Sequence, residues 1–317
     1  MDRRALIIGI NNTTHAVPLR GCAFDARRID KVLKRHHDKA RNFDTLLLTD
    51  PQQKVTKSLF RDHLNKLFNR DAAVALFYFA GHGIINQSGA YLMTSDARQH
   101  DEGVSMEEIT GLANKSPARE KIILLDCCHS GAIGSSSILG DDKSHLAEGV
   151  SIITASQREE PAVENSNGGI FTTLLCDALE GGASDIRGNV TPSSIYTYVD
   201  EAMGAWDQRP MFKTNVSRLT YLRKCPPAVD LEILRKIPDY FSDPEAEYPL
   251  DPSYEPTAEP PDAEHEKIFG HLQKYRAVNL VKPVGEEHMY YAAMHSKPCR
   301  LTPLGRQYWR LAKEGKI

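Results

Sequence analysis

The sequence predicts an α/β fold built on a mostly parallel sheet, followed by a smaller C-terminal domain. Three observations carry this expectation. Over the first 224 residues, short apolar runs rich in β-branched residues alternate with amphipathic stretches, which is the pattern of strands joined by crossover helices. A proline- and acid-rich stretch then interrupts the alternation at 238–262. Finally, 317 residues with 41% hydrophobic and 26% charged side chains supply one sizeable core and a smaller one.

Taken in order, residues 4–10 read as the first strand, 25–36 as a helix and 43–48 as the second strand. A long helical stretch over 55–69 precedes the third strand at 73–79. The run KIILLDC at 121–127 is the sharpest strand, and 150–155 follows it after a polar gap. Such uninterrupted apolar runs suit central parallel strands, which are buried on both faces. A helix over 171–179, a turn at Gly181 and Gly182, and a second helix over 192–203 come next, and 216–222 is expected to close the sheet.

Two segments depart from the alternation. Residues 133–148 are rich in Ser, Gly and Asp and read as a surface loop. Residues 238–262 hold seven prolines, eight acids and no Lys or Arg, so composition predicts an extended, self-repelling linker. The expected domains are therefore 1–224, a segment 225–262 leading into and including the linker, and 263–317. The last of these contains an amphipathic stretch at 268–275, strand candidates at 278–281 and 289–294, and a helix starting at Thr302 and Pro303. Helix, hairpin and helix in this order predict a winged-helix-like module.

Composition also excludes classes. No run reaches the roughly 18 apolar residues of a membrane helix, and the apolar stretch after MDRR is too short for a signal peptide, so a cytoplasmic location is expected. The net charge of −3 gives no overall nucleic-acid footprint. The six cysteines lack paired metal-ligand spacing, which points to free thiols or one catalytic thiol.

Two strand-end motifs carry chemistry. In FYFAGHGI, an apolar strand delivers Gly81, His82 and Gly83, placing an imidazole where the backbone can approach a ligand closely. In KIILLDCCHSG, another strand delivers Asp126, Cys127, Cys128 and His129. Catalytic groups gather at the carboxyl ends of strands in open α/β sheets. If the two strands are neighbours, a histidine base and a cysteine nucleophile meet without being close in sequence. Spacing alone does not choose between Cys127 and Cys128.

At these residues the chain resembles the caspases, and metacaspases in particular. AGHG followed by DCCHSG is similar to their His and Cys motifs. LRGCAFDA, ITASQREEPAVE and GGIFTTLLCDALEGG resemble further metacaspase segments, extending the likeness over residues 4–224. The resemblance implies a caspase-like (caspase–hemoglobinase) fold and a cysteine endopeptidase with His82 as base and Cys128 as nucleophile. It also implies an oxyanion site at the amides of Gly83 and Cys128. The acids at Asp25 and Asp126 match positions with which metacaspases bind Arg or Lys at P1; paired carboxylates favour a guanidinium and repel an acidic side chain. Ser156 and Glu164 are expected to line the substrate groove.

Many metacaspases need calcium and cleave themselves between their two halves. Here Lys143 is the basic residue of the corresponding loop and the expected cut site. Calcium would fall to Asp96, Asp101, Glu102, Glu107 and Glu108, which with Met106 interrupting them read instead as a solvated acidic helix face. No metal site is otherwise expected. The last 55 residues carry ten Lys or Arg against five acids, so the terminal module is a candidate for an activating partner rather than for nucleic acid. Bacterial two-domain caspase-like proteins resemble defence or cell-death components in which a partner triggers proteolysis, sometimes of a pore-forming protein. The rival readings are a catalytically weak caspase-fold scaffold and a DNA-binding regulator acting through the terminal module.

Overall fold

A computed structural model describes residues 2–128, 146–155, 168–204, 210–218 and 220–317. The chain divides into two units, residues 1–184 with 189–225, and residues 185–188 with 226–317.

In the first unit, β1 (Arg3–Gly9), α1 (Cys22–Lys34), β2 (Asp44–Thr49), α2 (Lys57–Phe68) and β3 (Val74–Asn86) lead to a hairpin of β4 (Gly89–Arg98) and β5 (Asp101–Ser105). Then follow α3 (Met106–Lys115), β6 (Glu120–Cys128), β7 (Val150–Thr154), α4 (Ile170–Asp177), β8 (Asn189–Val190), α5 (Pro192–Met203), β9 (Met211–Asn215) and β10 (Arg223–Lys224). Six strands lie in the order β2-β1-β3-β6-β7-β9, with β4 paired to the end of β3 and β5 to β4. The pairs from β2 through β7 are parallel, and β9 is antiparallel to β7. Both faces are covered. Phe60, Leu64 and Phe68 of α2 with Met106 and Ile109 of α3 pack on one. Ala26, Ile29 and Leu33 of α1 with Phe171 and Leu175 of α4 and Ile195 and Val199 of α5 pack on the other.

Local chemistry fixes several ends. Thr56 caps α2 by accepting from the Leu59 N–H, Ser105 caps α3, and Thr191 and Ser194 form a reciprocal capping box with Pro192 in the first turn of α5.

Three expectations for this unit are corrected. The strand expected to stop at residue 79 runs through the Gly-His-Gly motif to Asn86, because from Gly83 onward it finds a new antiparallel partner in β4. The sheet is closed by Met211–Asn215 rather than by 216–222. The acidic segment after Asp96 is mostly hairpin, with Glu107 and Glu108 in the first turn of α3.

The second unit contains α6 (Leu231–Leu234), α7 (Ile237–Tyr240), β11 (Glu247–Tyr248), α8 (Ala263–Ala277), β12 (Val281–Pro283), α9 (Met289–Met294), β13 (Cys299–Leu301) and α10 (Pro303–Lys313). Its strands form a small antiparallel sheet in the order β11-β13-β12. The stretch expected to be an extended linker is folded into this unit's core: Phe241, Leu250 and Tyr254 are buried beside Phe269, Leu272 and Tyr275. Two of its prolines, Pro238 and Pro252, sit in first helical turns, where they cost no hydrogen bond. Residues 289–294 form a helix instead of a strand, since Met289, Ala292 and Ala293 recur at helical spacing and are buried while Tyr290, Tyr291 and Met294 are exposed.

Candidate active site

The parallel register of β3 and β6 sets Gly81 opposite Cys127 and His82 opposite Cys128. Neighbouring strands lie about 4.8 Å apart, so the two motifs meet at the C-terminal edge of the parallel sheet. Each strand is held there by its own burial: Val74 to Ala80 and Ile122 to Leu125 are all buried. The side chain of Cys127 is itself buried at 4% exposure and lines a small cavity with Leu92, Met106, Leu125 and Thr154, on the face covered by α2 and α3. It belongs to the core on that face.

His82 has a partner that sequence reading did not find. Its Nε2 lies 2.7 Å from the carbonyl oxygen of Val17. A carbonyl only accepts, so Nε2 carries the proton and Nδ1 is left as the basic nitrogen. Val17 is in the connection between β1 and α1, and its contribution is a backbone atom; no side-chain pattern announces it.

The two acids also meet. Asp25 lies in the first turn of α1 and is 2% exposed, and Asp126 in β6 is 5% exposed. Asp25 does not cap its own helix, where Gly21 is the cap residue without a side-chain bond. Instead its Oδ2 accepts from the Gly169 N–H at 2.8 Å, at the start of α4. Arg28 Nη1 lies 3.8 Å from Asp25 Oδ1 and donates to Thr173 Oγ1 at 2.9 Å. Thr172 Oγ1 donates to Asp126 Oδ2 at 2.5 Å and stands 2.6 Å from the Tyr78 hydroxyl. Burial, opposed by the Thr172 bonds, raises the Asp126 carboxyl above the ordinary carboxylate range.

Gly169 is the point where both carboxylates converge. A Cβ there would lie 2.9 Å from Asp126 Oδ2 and 3.3 Å from Asp25 Oδ2. Gly168 has φ +96° and approaches Asp25 even more closely. The pair of glycines therefore lets the backbone pass between α1 and β6.

Gly83 takes the first antiparallel position of β3, opposite Leu92. Ser156, Glu164, Lys143 and His129 lie outside the described residues. Four of the five acids considered for calcium have protein partners: Asp96 Oδ1 accepts from the Lys57 N–H at 3.0 Å, Asp101 pairs with Lys57 Nζ, Glu102 Oε1 accepts from the His100 N–H at 3.2 Å, and Glu108 holds Arg61 through three bonds. Among the described residues, no three His, Cys, Asp or Glu side chains are grouped as a metal site would need. No helix among the described residues is long and apolar enough to cross a membrane.

Residues 2–221 match the caspase domain family. The chain belongs to that family. Two Arabidopsis thaliana proteins are similar to it: metacaspase-4, 27% identical over 59% of this chain and 46% of its own length, and metacaspase-8, 28% identical over 42% of this chain and 38% of its own length. The chain thus matches less than half the length of either curated relative. The crystal structure of a Geobacter sulfurreducens protein superimposes with a TM-score of 0.52 at 18% identity, covering 72% of this chain and 98% of that one. This caspase-family chain accordingly has the expected mostly parallel sheet with helices on both faces, and the family is one of cysteine-type endopeptidases.

Proposed function

We propose that this chain is a cysteine endopeptidase that cleaves after Arg or Lys, with His82 and Cys128 as its catalytic dyad. The observation that carries the reading is the register of β3 and β6, which sets His82 opposite Cys128 while the Val17 carbonyl occupies Nε2. Nδ1 of His82 takes the proton of the Cys128 thiol, the thiolate attacks the scissile carbonyl, and the same nitrogen returns the proton to the leaving amine. The amides of Gly83 and Cys128 hold the oxyanion. Core placement of Cys127 supports the assignment of its neighbour as nucleophile.

Specificity rests on Asp25 and Asp126. Two buried carboxylates around one backbone position provide charge-assisted acceptors for a guanidinium or ammonium group and disfavour an acidic P1 side chain. Ser156 and Glu164 complete the groove in this reading, and self-cleavage follows Lys143. A protein partner engaging the C-terminal unit triggers proteolysis within a defence or cell-death response, and the enzyme acts in the cytoplasm.

The test compares wild type, Cys128→Ala and His82→Ala on reporters with Arg, Lys, Asp or Asn at P1, with and without calcium. Wild type cleaves the Arg and Lys reporters, and both variants lose at least about 10³-fold in kcat. Equal activity in wild type and Cys128→Ala removes the dyad, and preference for P1 Asp removes the specificity. Lys143→Ala abolishes the self-cleavage fragments; unchanged fragments move the cut elsewhere.

A further inference from the structure

The carbonyl that fixes His82 belongs to Val17, whose own residue is 81% exposed. Side-chain packing therefore does not hold it, and its position must be set elsewhere in the connection between β1 and α1. That connection is anchored on Asp50, which directly follows β2 and is 3% exposed. Asp50 Oδ1 accepts from the Asn11 N–H at 2.7 Å. Its Oδ2 accepts from the Asn12 N–H at 2.7 Å and from Asn12 Nδ2 at 2.6 Å. Asn11 passes the constraint along the loop. Its carbonyl accepts from the Leu19 N–H at 2.8 Å, its Oδ1 from the Ala23 N–H at 3.0 Å, and its Nδ2 donates to the Arg20 carbonyl at 3.4 Å. Val17 lies inside the span that Asn11 closes.

We propose that Asp50 is a positioning residue for His82, acting through Asn11 and Asn12 on the loop that presents the Val17 carbonyl. The proposal rests on the reading of His82 as the base. The chemistry requires a carboxylate: three N–H donors converge on two oxygens, and an amide in place of the acid would set donor against donor at one of them. A loop released at this end lets the Val17 carbonyl move away from Nε2. The His82 ring then loses its single tautomer, and Nδ1 is no longer uniformly the unprotonated nitrogen. The Asp50 carboxylate is spent on the Asn11 and Asn12 donors rather than on substrate, so substrate binding should be spared.

The experiment is ¹⁵N NMR of the His82 ring in full-length Cys128→Ala protein, alone and combined with Asp50→Asn or Asn11→Ala. The same two substitutions are assayed for peptide cleavage in the otherwise wild-type protein. The expected result is one Nε2-protonated tautomer in the parent and a mixture in the Asp50 and Asn11 variants. In the active protein kcat falls between about tenfold and 100-fold while KM moves by less than about twofold. Asn11→Ala keeps the measurement open should Asp50→Asn fail to fold. Folded variants that retain the single tautomer and wild-type kcat overturn the proposal. A wild type that cleaves no peptide, yet whose tautomer responds to Asp50→Asn, supports the positioning role and overturns the peptidase reading.

Discussion

Asp126 meets two opposed demands. Burial favours its neutral form, whereas the proposed role of holding a substrate cation would need the carboxylate. A folded-state pKa raised above the unfolded value of about 3.9 means that the fold gains from protonation. Stability from this group is therefore present at acid pH and lost as pH rises through the window between the ordinary value and the raised one. Activity runs the other way: KM for an Arg reporter should climb as pH falls through the raised Asp126 pKa. Asp126→Asn should abolish that acid limb and raise KM at neutral pH by about tenfold to 100-fold, the worth of a charged hydrogen bond. Its unfolding midpoint in urea should not fall. A variant with an unchanged KM profile would relieve Asp126 of the P1 role. His82 stood out in the sequence because its imidazole sits in a short glycine-flanked motif, and Asp25 and Asp126 were singled out through the family resemblance. Val17 was not, because what it offers is a carbonyl that every residue possesses.

At the scale of elements, the start of α4 governs how closely α1 and β6 approach. Gly169→Ala would push a methyl group toward both buried carboxylates, and we expect destabilisation of about 1 to 3 kcal/mol from overpacking. KM for the Arg reporter should rise in parallel; a stable variant with wild-type KM would show that the carboxylates do not depend on this approach. The glycines themselves were visible in GGIFTT, but their purpose needed the third dimension. Likewise, the apolar run FYFA marked β3 well, while its continuation into a second pairing did not announce itself. GHGIIN is short, glycine-broken and without clean alternation, so only the partner strand β4 decides that it is extended. The helix at 289–294 failed in reading for a related reason: six residues with two tyrosines satisfy strand and helix patterns about equally until burial separates them.

Across the whole molecule, the two units have separate cores, and the boundary of the second was obscured by composition. Counting prolines and acids at 238–262 gave weight to the residues that face solvent or sit in turns. The aromatic residues Tyr240, Phe241, Tyr248 and Tyr254, which form contacts with one another and with His265, Phe269 and Tyr275, carry the energy that folds the segment. The depth of the acid pair in the first unit has a further consequence for how the protein meets ionic solutions. With a net charge of −3, long-range steering of a basic peptide is weak. Under the proposed P1 preference, recognition would fall instead to charges that mobile ions cannot surround. Between about 0.1 and 1 M salt the Debye length shrinks from about 10 to 3 Å, and KM for an Arg reporter should nevertheless stay within about twofold. A tenfold rise would mean that exposed charges, rather than Asp25 and Asp126, choose the substrate.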